Sequence, residues 1–406
     1  MPINVDRIWR DIEAIAGFNE TTPSVGYSRP TFSPAWRQAR DYVIAQAEAT
    51  GCQTRIDAAG NVHARPRDLP SDAPAWLSGS HIDSVPTGGK YDGVAGVVAP
   101  LEILRAARED AKPIALELII FAEEEGTTFG LGMLGSRAWV GELTADDLAK
   151  VRSTSGQNYL EAGREHGVRP DDLPRERFNR SAYIGLVEIH IEQGPDLWNL
   201  RSPIAIVSSI AGRRQYRVAF HGVANHAGAT SMRTRKDALA AAAPIIIQVE
   251  AMARDLSPQT VATVGRIDCR PNAINVIPER VDFTIDLRSP NDALLAEGHE
   301  RITKYVMQSA ERREMRCELT MTEDQPAMQL DQTICARLKR AAGEVSMAVS
   351  GALHDAAILA PQVPTAMIFV ASKDGISHNP EEFSRVEDIA AAATVLQNGI
   401  SGEPSP

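Results

Sequence analysis

The sequence predicts an α/β fold with a mostly parallel sheet, into which a smaller ferredoxin-like α+β domain is inserted. Three observations carry this. Strands alternate with helices early in the chain, as in SGSHID, GVAGVVAPLEILRAARED and IALELIIFAEEEG, the pattern of crossover units in a parallel sheet. From Gly212 to Pro326 the order becomes strand, helix, two strands, helix, strand, a β-α-β-β-α-β unit. Afterwards the α/β pattern resumes in PTAMIFVAS and VEDIAAAATVLQNG. At 406 residues the chain also exceeds one ordinary core. The expected domains are 1–211 with 327–406, and 212–326 between them.

The elements follow in order. MPINVDRIWRDIEAIAG has the spacing of an amphipathic helix, and PAWRQARDYVIAQAEATG is a second helix that Gly51 can cap. CQTRIDAAGNVHARP reads as strand around a turn at Gly60. APAWLSGSHID is a short strand leading into a loop, and IALELIIFAEEEG is a buried strand running into three carboxylates. GRRQYRVAFHGV alternates as a half-buried strand, and TRKDALAAAAPIIIQVEAMARDL is a helix. TVATVGRIDC and RVDFTIDLRS are strands joined by RPNAINVIPE. NDALLAEGHERITKYVMQSAERREM and RCELTMTED close the inserted domain, and a further helix runs through Ala336–Ala342.

Composition narrows the function classes. Apolar residues make up 43% and charged residues 23%, the globular range. A net charge of −11 disfavours nucleic acid and anionic membrane surfaces as partners. No apolar run approaches the roughly 20 residues that span a bilayer, and the N-terminus lacks the pattern of a signal peptide. The four cysteines form no C-x-x-C pair, which fits a reducing, cytoplasmic setting.

Chemistry-bearing residues gather at strand outlets. His81 and Asp83 are two apart at a strand end, so they share a side, and a carboxylate can orient an imidazole that binds metal. An isolated H-x-D is otherwise a surface pair. Glu123, Glu124 and Glu125 repel one another unless a cation neutralises them, though a solvated acidic turn is the plain alternative. His190 lies in GLVEIHIEQGP and His378 in DGISHNPEE, again after apolar runs. With Asp92 these residues offer nitrogen and oxygen donors suited to zinc, manganese, cobalt or nickel. Taken alone, HIDSVPTGGKYDG should pack poorly, and metal coordination would give it a reason to be ordered. His63, His166, His221 and His299 receive no role.

GSHIDSVPTGGKYDG, FAEEEGTTFG, EIHIEQGP, NHAGATSMRTRKDA, NAINVIP, DLRS, SGALHDA and GISHNPEE resemble, in order and spacing, the M20 metallopeptidase-like amidohydrolases. The resemblance points to the branch of allantoate amidohydrolase, ureidoglycolate amidohydrolase and N-carbamoyl-L-amino acid hydrolase, and it spans nearly the whole chain. It implies a cytoplasmic hydrolase with two divalent metal ions, zinc foremost, in the large domain. It implies a homodimer formed through the small domain, which acts as a lid. The substrate would be a ureido or N-carbamoyl compound bearing a carboxylate, cleaved at an amide C–N bond by a metal-activated water.

The resemblance also implies roles. Asp92 would bridge the metals, with His81 and His190 completing one site and Glu125 and His378 the other. Asp83 would orient His81, and Glu124 would be the general base. His226 would stabilise the oxyanion. Asn275 and Arg288 would hold the substrate carboxylate, Gln193 would add an amide contact, and Ser350, Gly351 and His354 would line the pocket. On their own, Arg288 could be an exposed edge charge, Asn275 a turn residue and His354 a packing residue. The branch commonly has Arg where Thr128 stands and Gly where Leu353 stands, which bears on substrate rather than on metal chemistry. The competing readings are a dipeptidase or aminoacylase on the same fold, and a non-catalytic carboxylate binder; the retention of Glu124 and all five ligands argues against the latter.

Overall fold

The structure is a computed structural model and describes residues 2–22 and 24–401. The extreme ends of the expected catalytic domain, residue 1 and residues 402–406, lie outside the described residues. The chain divides into two compact units. One comprises Met1–Ser208, Leu330–Ala348 and Leu353–Pro406, the other Ser209–Gln329 with Val349–Ala352.

The first unit is built on a mixed sheet. Its strands are β1 (Cys52–Ile56), β2 (Val62–Pro66), β3 (Ala75–His81), β4 (Leu116–Phe121), β5 (Tyr183–Ile191) and β6 (Ile204–Ile210), with β14 (Thr365–Val370) arriving late in the chain. The order is β1-β2-β4-β3-β5-β14-β6. The central strands β4, β3, β5 and β14 run parallel, while the flanking pairings are antiparallel. Strands β3, β4 and β14 are buried along their whole length, as expected where helices cover both faces of a parallel sheet. The helix Val94–Glu109 is buried through Ala107 on every side. Its small residues Ala95, Gly96 and Ala99 explain how a helix can settle so deeply.

One charged position in that helix is also buried. Glu102 accepts from Arg7 Nε and Nη2 at 2.9 and 2.7 Å and from the Asn4 main-chain N–H at 2.9 Å. These bonds fix the amphipathic helix Val5–Gly17, whose Ile8, Ile12 and Ile15 face the core. Losing one partner of a buried pair costs about 3–5 kcal/mol, because the other charge is left uncompensated.

The second unit has its own sheet and core. Strands β7 (Gly212–His221), β8 (Val261–Thr263), β9 (Ile267–Arg270), β10 (Arg280–Ser289) and β11 (Arg316–Gln325) form an antiparallel sheet ordered β11-β7-β10-β8, with β9 also on β10. β10 alternates strictly between buried and partly buried positions. Its Val281, Phe283, Ile285 and Leu287 meet Ile245 and Val249 of the helix Ala238–Leu256 and Ile302 and Val306 of the helix Asp292–Arg313. Each such side chain contributes roughly 1.5–3 kcal/mol on burial. TVATVGRIDC is broken by Val264–Arg266 into β8 and β9, where one strand was expected. The short β12 (Met328–Gln329) pairs with Ser209 and Ile210, and β13 (Ser346–Ser350) pairs with β6.

His63, given no role from sequence, is a buried junction at the flank of the first sheet. Its Nδ1 lies 2.8 Å from Glu117 Oε1 on β4 and its Nε2 3.1 Å from Asp57 Oδ2. Carboxylates on both nitrogens favour the doubly protonated ring. Burial opposes that charge, but the two carboxylates outweigh it and raise the His63 pKa. Burial likewise opposes ionised Glu117, yet His63 and the nearby Arg55 and Arg65 hold it down to about 2.

The sign of the pH dependence follows. A depressed carboxylate gives stability that is complete above its ordinary 4.5 and is lost as pH falls toward 2. A raised histidine gives stability that is complete below its ordinary 6.5 and is lost as pH climbs through the raised value. Glu117→Gln should therefore lower Tm by several degrees between pH 5 and 6. The gap to the unaltered protein should narrow toward pH 3 in thermal scans. A gap that widens on acidification would contradict the pairing.

Candidate active site and metal centre

The carboxyl ends of the four parallel strands assemble the site, which is where ligands bind in such sheets. His81 is the last residue of β3 and His190 the penultimate residue of β5. Glu123, Glu124 and Glu125 follow β4 after Ala122, and His378 follows β14 beyond a single 3-10 turn. Asp92 precedes the helix Val94–Glu109.

Asp92 is the centre. Its Oδ1 lies 3.1 Å from His190 Nε2 and 3.7 Å from His81 Nε2. Its Oδ2 lies 3.2 Å from His378 Nε2, which is itself 3.5 Å from Glu125 Oε2. The donor atoms thus fall into two groups, His81–Asp92–His190 and Asp92–Glu125–His378, each within 4.8 Å and sharing Asp92. The Nδ1 atoms of His81 and His190 point at the main-chain oxygens of Asp83 and Ile191, both at 2.9 Å. Those contacts place the proton on Nδ1 and leave Nε2 as a lone-pair donor toward Asp92.

The electrostatics call for cations. Burial and then Asp92 push Glu125 up to about 8, and the same two causes lift Glu382 to about 7. Burial and then Asp83 raise Glu123 to about 7. Burial drives Glu124 well above the ordinary carboxylate range, with Glu125 and other acids adding to it. Glu125 Oε1 is buried with no hydrogen-bond partner among the described residues. A buried acid cluster with an orphaned oxygen and imidazole lone pairs facing one carboxylate fits two divalent ions of borderline character.

The surrounding residues show how the site is held. Asp83 reaches His81 through its main-chain carbonyl. Its carboxylate lies 3.8 Å from the ring and accepts instead from the N–H groups of Glu124 and Glu125, at 3.4 and 3.1 Å. Glu123, in left-handed backbone, accepts from the N–H groups of Thr128 and Phe129 and so closes its own loop. Glu382, which sequence reasoning missed, accepts from the N–H groups of Tyr91 and Asp92. Contrary to expectation, HIDSVPTGGKYDG packs well: Ile82 and Tyr91 are fully buried and only Pro86 and Thr87 are exposed. The physical reason is this carboxylate capping, which satisfies the buried main chain.

Gln193 donates to Asp92 Oδ2 at 2.9 Å. His354 is buried, its ring 4.4 Å from that of His190, and burial pushes its pKa well down. Glu188, missed from sequence, lies with His190 and His354. Both of its oxygens are engaged, by Ser80 Oγ and the Ala356 N–H. Thr128 Oγ1 accepts from the Thr31 N–H, and Leu353 is partly buried.

The remaining candidates belong to the second unit. His226 Nδ1 accepts from the N–H groups of Gly228 and Ala229 at 3.0 and 3.2 Å. The proton therefore sits on Nε2 of an exposed ring, available as a donor. Asn275 is exposed beside it, its main-chain oxygen accepting from the Ala227 N–H. Arg288 lies on the interior strand β10, which rules out an edge charge. It donates Nε and Nη2 to Asp286 and Nη1 to the Gly351 oxygen. Of five guanidinium protons, one on each terminal nitrogen is left to donate. Ser350 ends β13, where a loop was expected, and with Gly351 it clusters in this unit.

Gly93 offers a direct check of the His81 position. It has φ +66°, and an added Cβ would lie 2.6 Å from the His81 ring. Gly93→Ala should displace the imidazole and lower bound zinc or manganese below that of the unaltered protein, read by elemental analysis after dialysis. Undiminished metal content in a folded variant would contradict the assignment of His81.

Known proteins resemble this chain over nearly its whole length. Residues 77–401 match the description Peptidase family M20/M25/M40. The N-carbamoyl-L-amino acid amidohydrolase of Geobacillus stearothermophilus is 37% identical, covering 98% of each chain. The allantoate amidohydrolase of Escherichia coli is 32% identical over 92% of each. A crystal structure of an amidase of the hydantoinase/carbamoylase family from Burkholderia multivorans superposes with a TM-score of 0.91 at 32% identity, covering 98% of this chain and 97% of that one. On the sequence match and the full-length similarity together, this chain belongs to peptidase family M20/M25/M40.

Proposed function

We propose that the protein is a two-metal amidohydrolase that cleaves the amide C–N bond of a ureido or N-carbamoyl substrate bearing a carboxylate. The observation that carries this is Asp92, whose two oxygens face two different ligand groups with the Glu124 carboxylate alongside, 3.7 Å from His81. His81, His190 and Asp92 would hold one ion, and Asp92, Glu125 and His378 the other. When bound, the ions supply Lewis acidity, polarising the scissile carbonyl and acidifying the attacking water. Zinc suits the donor set first, with manganese, cobalt or nickel as alternatives.

The side chains do the rest. Glu124 takes the proton of the attacking water and delivers it to the leaving nitrogen. Asp83 fixes the Glu124 and Glu125 main chain, and so aims both carboxylates. His226 donates its Nε2 proton to the oxyanion. The remaining donors of Arg288 and the carboxamide of Asn275 bind the substrate carboxylate, Gln193 adds an amide contact, and Ser350, Gly351 and His354 shape the pocket. N-carbamoyl-L-amino acids and allantoate are the leading substrate classes, since the relatives named above act on them.

The second unit is the lid and the dimerisation element. Its helix Ala238–Leu256 leaves Leu239, Ala243, Ile247 and Ala251 exposed at helical spacing, with Ile247 71% exposed. Strand β8 lies at the sheet edge with Val261 53% exposed. An apolar helix stripe with an open strand edge is self-complementary about a two-fold axis, so the occupant is a second copy of this chain. No helix among the described residues is long and apolar enough to cross a membrane. The four cysteines are free, which suits the cytoplasm.

Turnover of N-carbamoyl-L-amino acids, allantoate, ureidoglycolate and dipeptides, with ammonia and the organic product both measured, tests the reading. Glu124→Gln should lower kcat about 10²–10⁴-fold with metal content unchanged. A chelator should abolish activity and added zinc or manganese restore it. Full activity in Glu124→Gln, or cleavage of dipeptides alone, would refute the proposal. Ile247→Glu with Val261→Asp should yield monomers in light scattering, and an unchanged dimer would place the interface elsewhere.

A further inference from the structure

The loop that carries Glu124 is fastened by a buried carboxamide outside the site. Residues 122–124 and 133–135 are joined by three main-chain bonds: Gly135 N–H to Ala122 O, Leu134 N–H to Glu123 O and Met133 N–H to Glu124 O. Asn61, in the turn between β1 and β2, sits at the closed end of this ladder and is wholly buried. Its Oδ1 accepts from the Ala122 N–H at 3.1 Å and its Nδ2 donates to the Gly135 oxygen at 3.1 Å. One side chain thus holds both ends of the segment from which Glu123, Glu124 and Glu125 project.

The orientation of that carboxamide is imposed from behind. Asp57 Oδ2 accepts from Asn61 Nδ2 at 2.9 Å, and Asp57 Oδ1 accepts from the N–H groups of Ala59 and Asn61, both at 2.9 Å. A carboxylate facing the amide nitrogen leaves only the oxygen to face Ala122. Asp57 is held in turn by His63, and His63 by Glu117, which also accepts from Tyr183 and Arg65. The relay is Glu117–His63–Asp57–Asn61–Ala122, and every side chain in it is buried.

We propose that Asn61 is a positioning residue for the general base, aimed by Asp57 and His63. This rests on the reading of Glu124 as that base. Asn61 touches neither the metal-ligand group nor Glu124 itself, so it acts on the geometry of the loop alone. A small misplacement of a catalytic group costs rate more than binding. Asn61→Asp keeps the shape, replaces the donor to the Gly135 oxygen with an acceptor and sets two carboxylates against each other.

The test uses the full-length, zinc-loaded protein, with N-carbamoyl-L-alanine and allantoate as probes. Asn61→Asp should lower kcat about tenfold to a hundredfold, with KM within twofold and zinc content unchanged. Asp57→Asn, which turns an acceptor facing Asn61 into a donor, should give the same selective loss. Retained kcat in both variants would overturn the proposal. So would a loss that tracks zinc content, a parallel rise in KM, or failure of both variants to fold, each of which would make the relay a structural element only. Glu124→Gln is measured beside them. If it is fully active, the function itself is misread; if it is inactive while Asn61→Asp is active, only the positioning claim fails.

Discussion

The structure depends on one buried carboxylate. Asp92 lies among three imidazoles and close to Glu125 and Glu382, in a place where unpaired charge is costly. Much else can be understood as its consequence. The imidazoles turn their Nε2 atoms inward because main-chain oxygens occupy Nδ1 of His81 and His190. Glu382 secures the Asp92 main chain, and Glu188 ties β5 to Ser80 and to the Ala356 N–H. The cluster is arranged for positive charge that the protein side chains supply only in part.

The fold supplies the convergence. Four parallel strands end side by side: β3 and β5 carry His81 and His190 within their last two residues, and β4 and β14 lead into the loops that hold Glu123–Glu125 and His378. Rigid, fully buried strands such as β3 and β4 set the positions of His81 and the glutamates more tightly than loops could. The loops themselves are held by carboxylates that accept main-chain N–H groups: Asp83 for Glu124 and Glu125, Glu123 for Thr128 and Phe129, Glu382 for Asp92. Acids near the site therefore divide between those facing the cation positions and those ordering the backbone.

Much of this was legible in the sequence, for identifiable reasons. The apolar runs ending at His81, Glu123 and His190 marked buried strands with polar outlets, and the switch of order near Gly212 marked the second unit. The candidate ligand group could be proposed because His81, Glu125, His190 and His378 lie at or just beyond such outlets, whereas the sharing of Asp92 between two ligand sets was implied by the family resemblance. What escaped had no local signal. Glu382, Glu188 and Asn61 act through contacts with residues far away in the chain, which neither spacing nor periodicity reveals. Strands β6 and β13 lack a distinctive period, and the helical segments between Leu134 and Ala182 are too short to show one. The poor packing expected of residues 81–93 was wrong because glycine and polar content says nothing of distant carboxylates that cap a buried loop.

The sharing of Asp92 between two cations is the central claim, and anomalous diffraction from a crystal of the zinc-loaded protein tests it most directly. The account predicts two anomalous peaks per chain. One should be bound by His81, His190 and one Asp92 oxygen, the other by Glu125, His378 and the second Asp92 oxygen. A single peak, or two peaks of which only one touches Asp92, would contradict it.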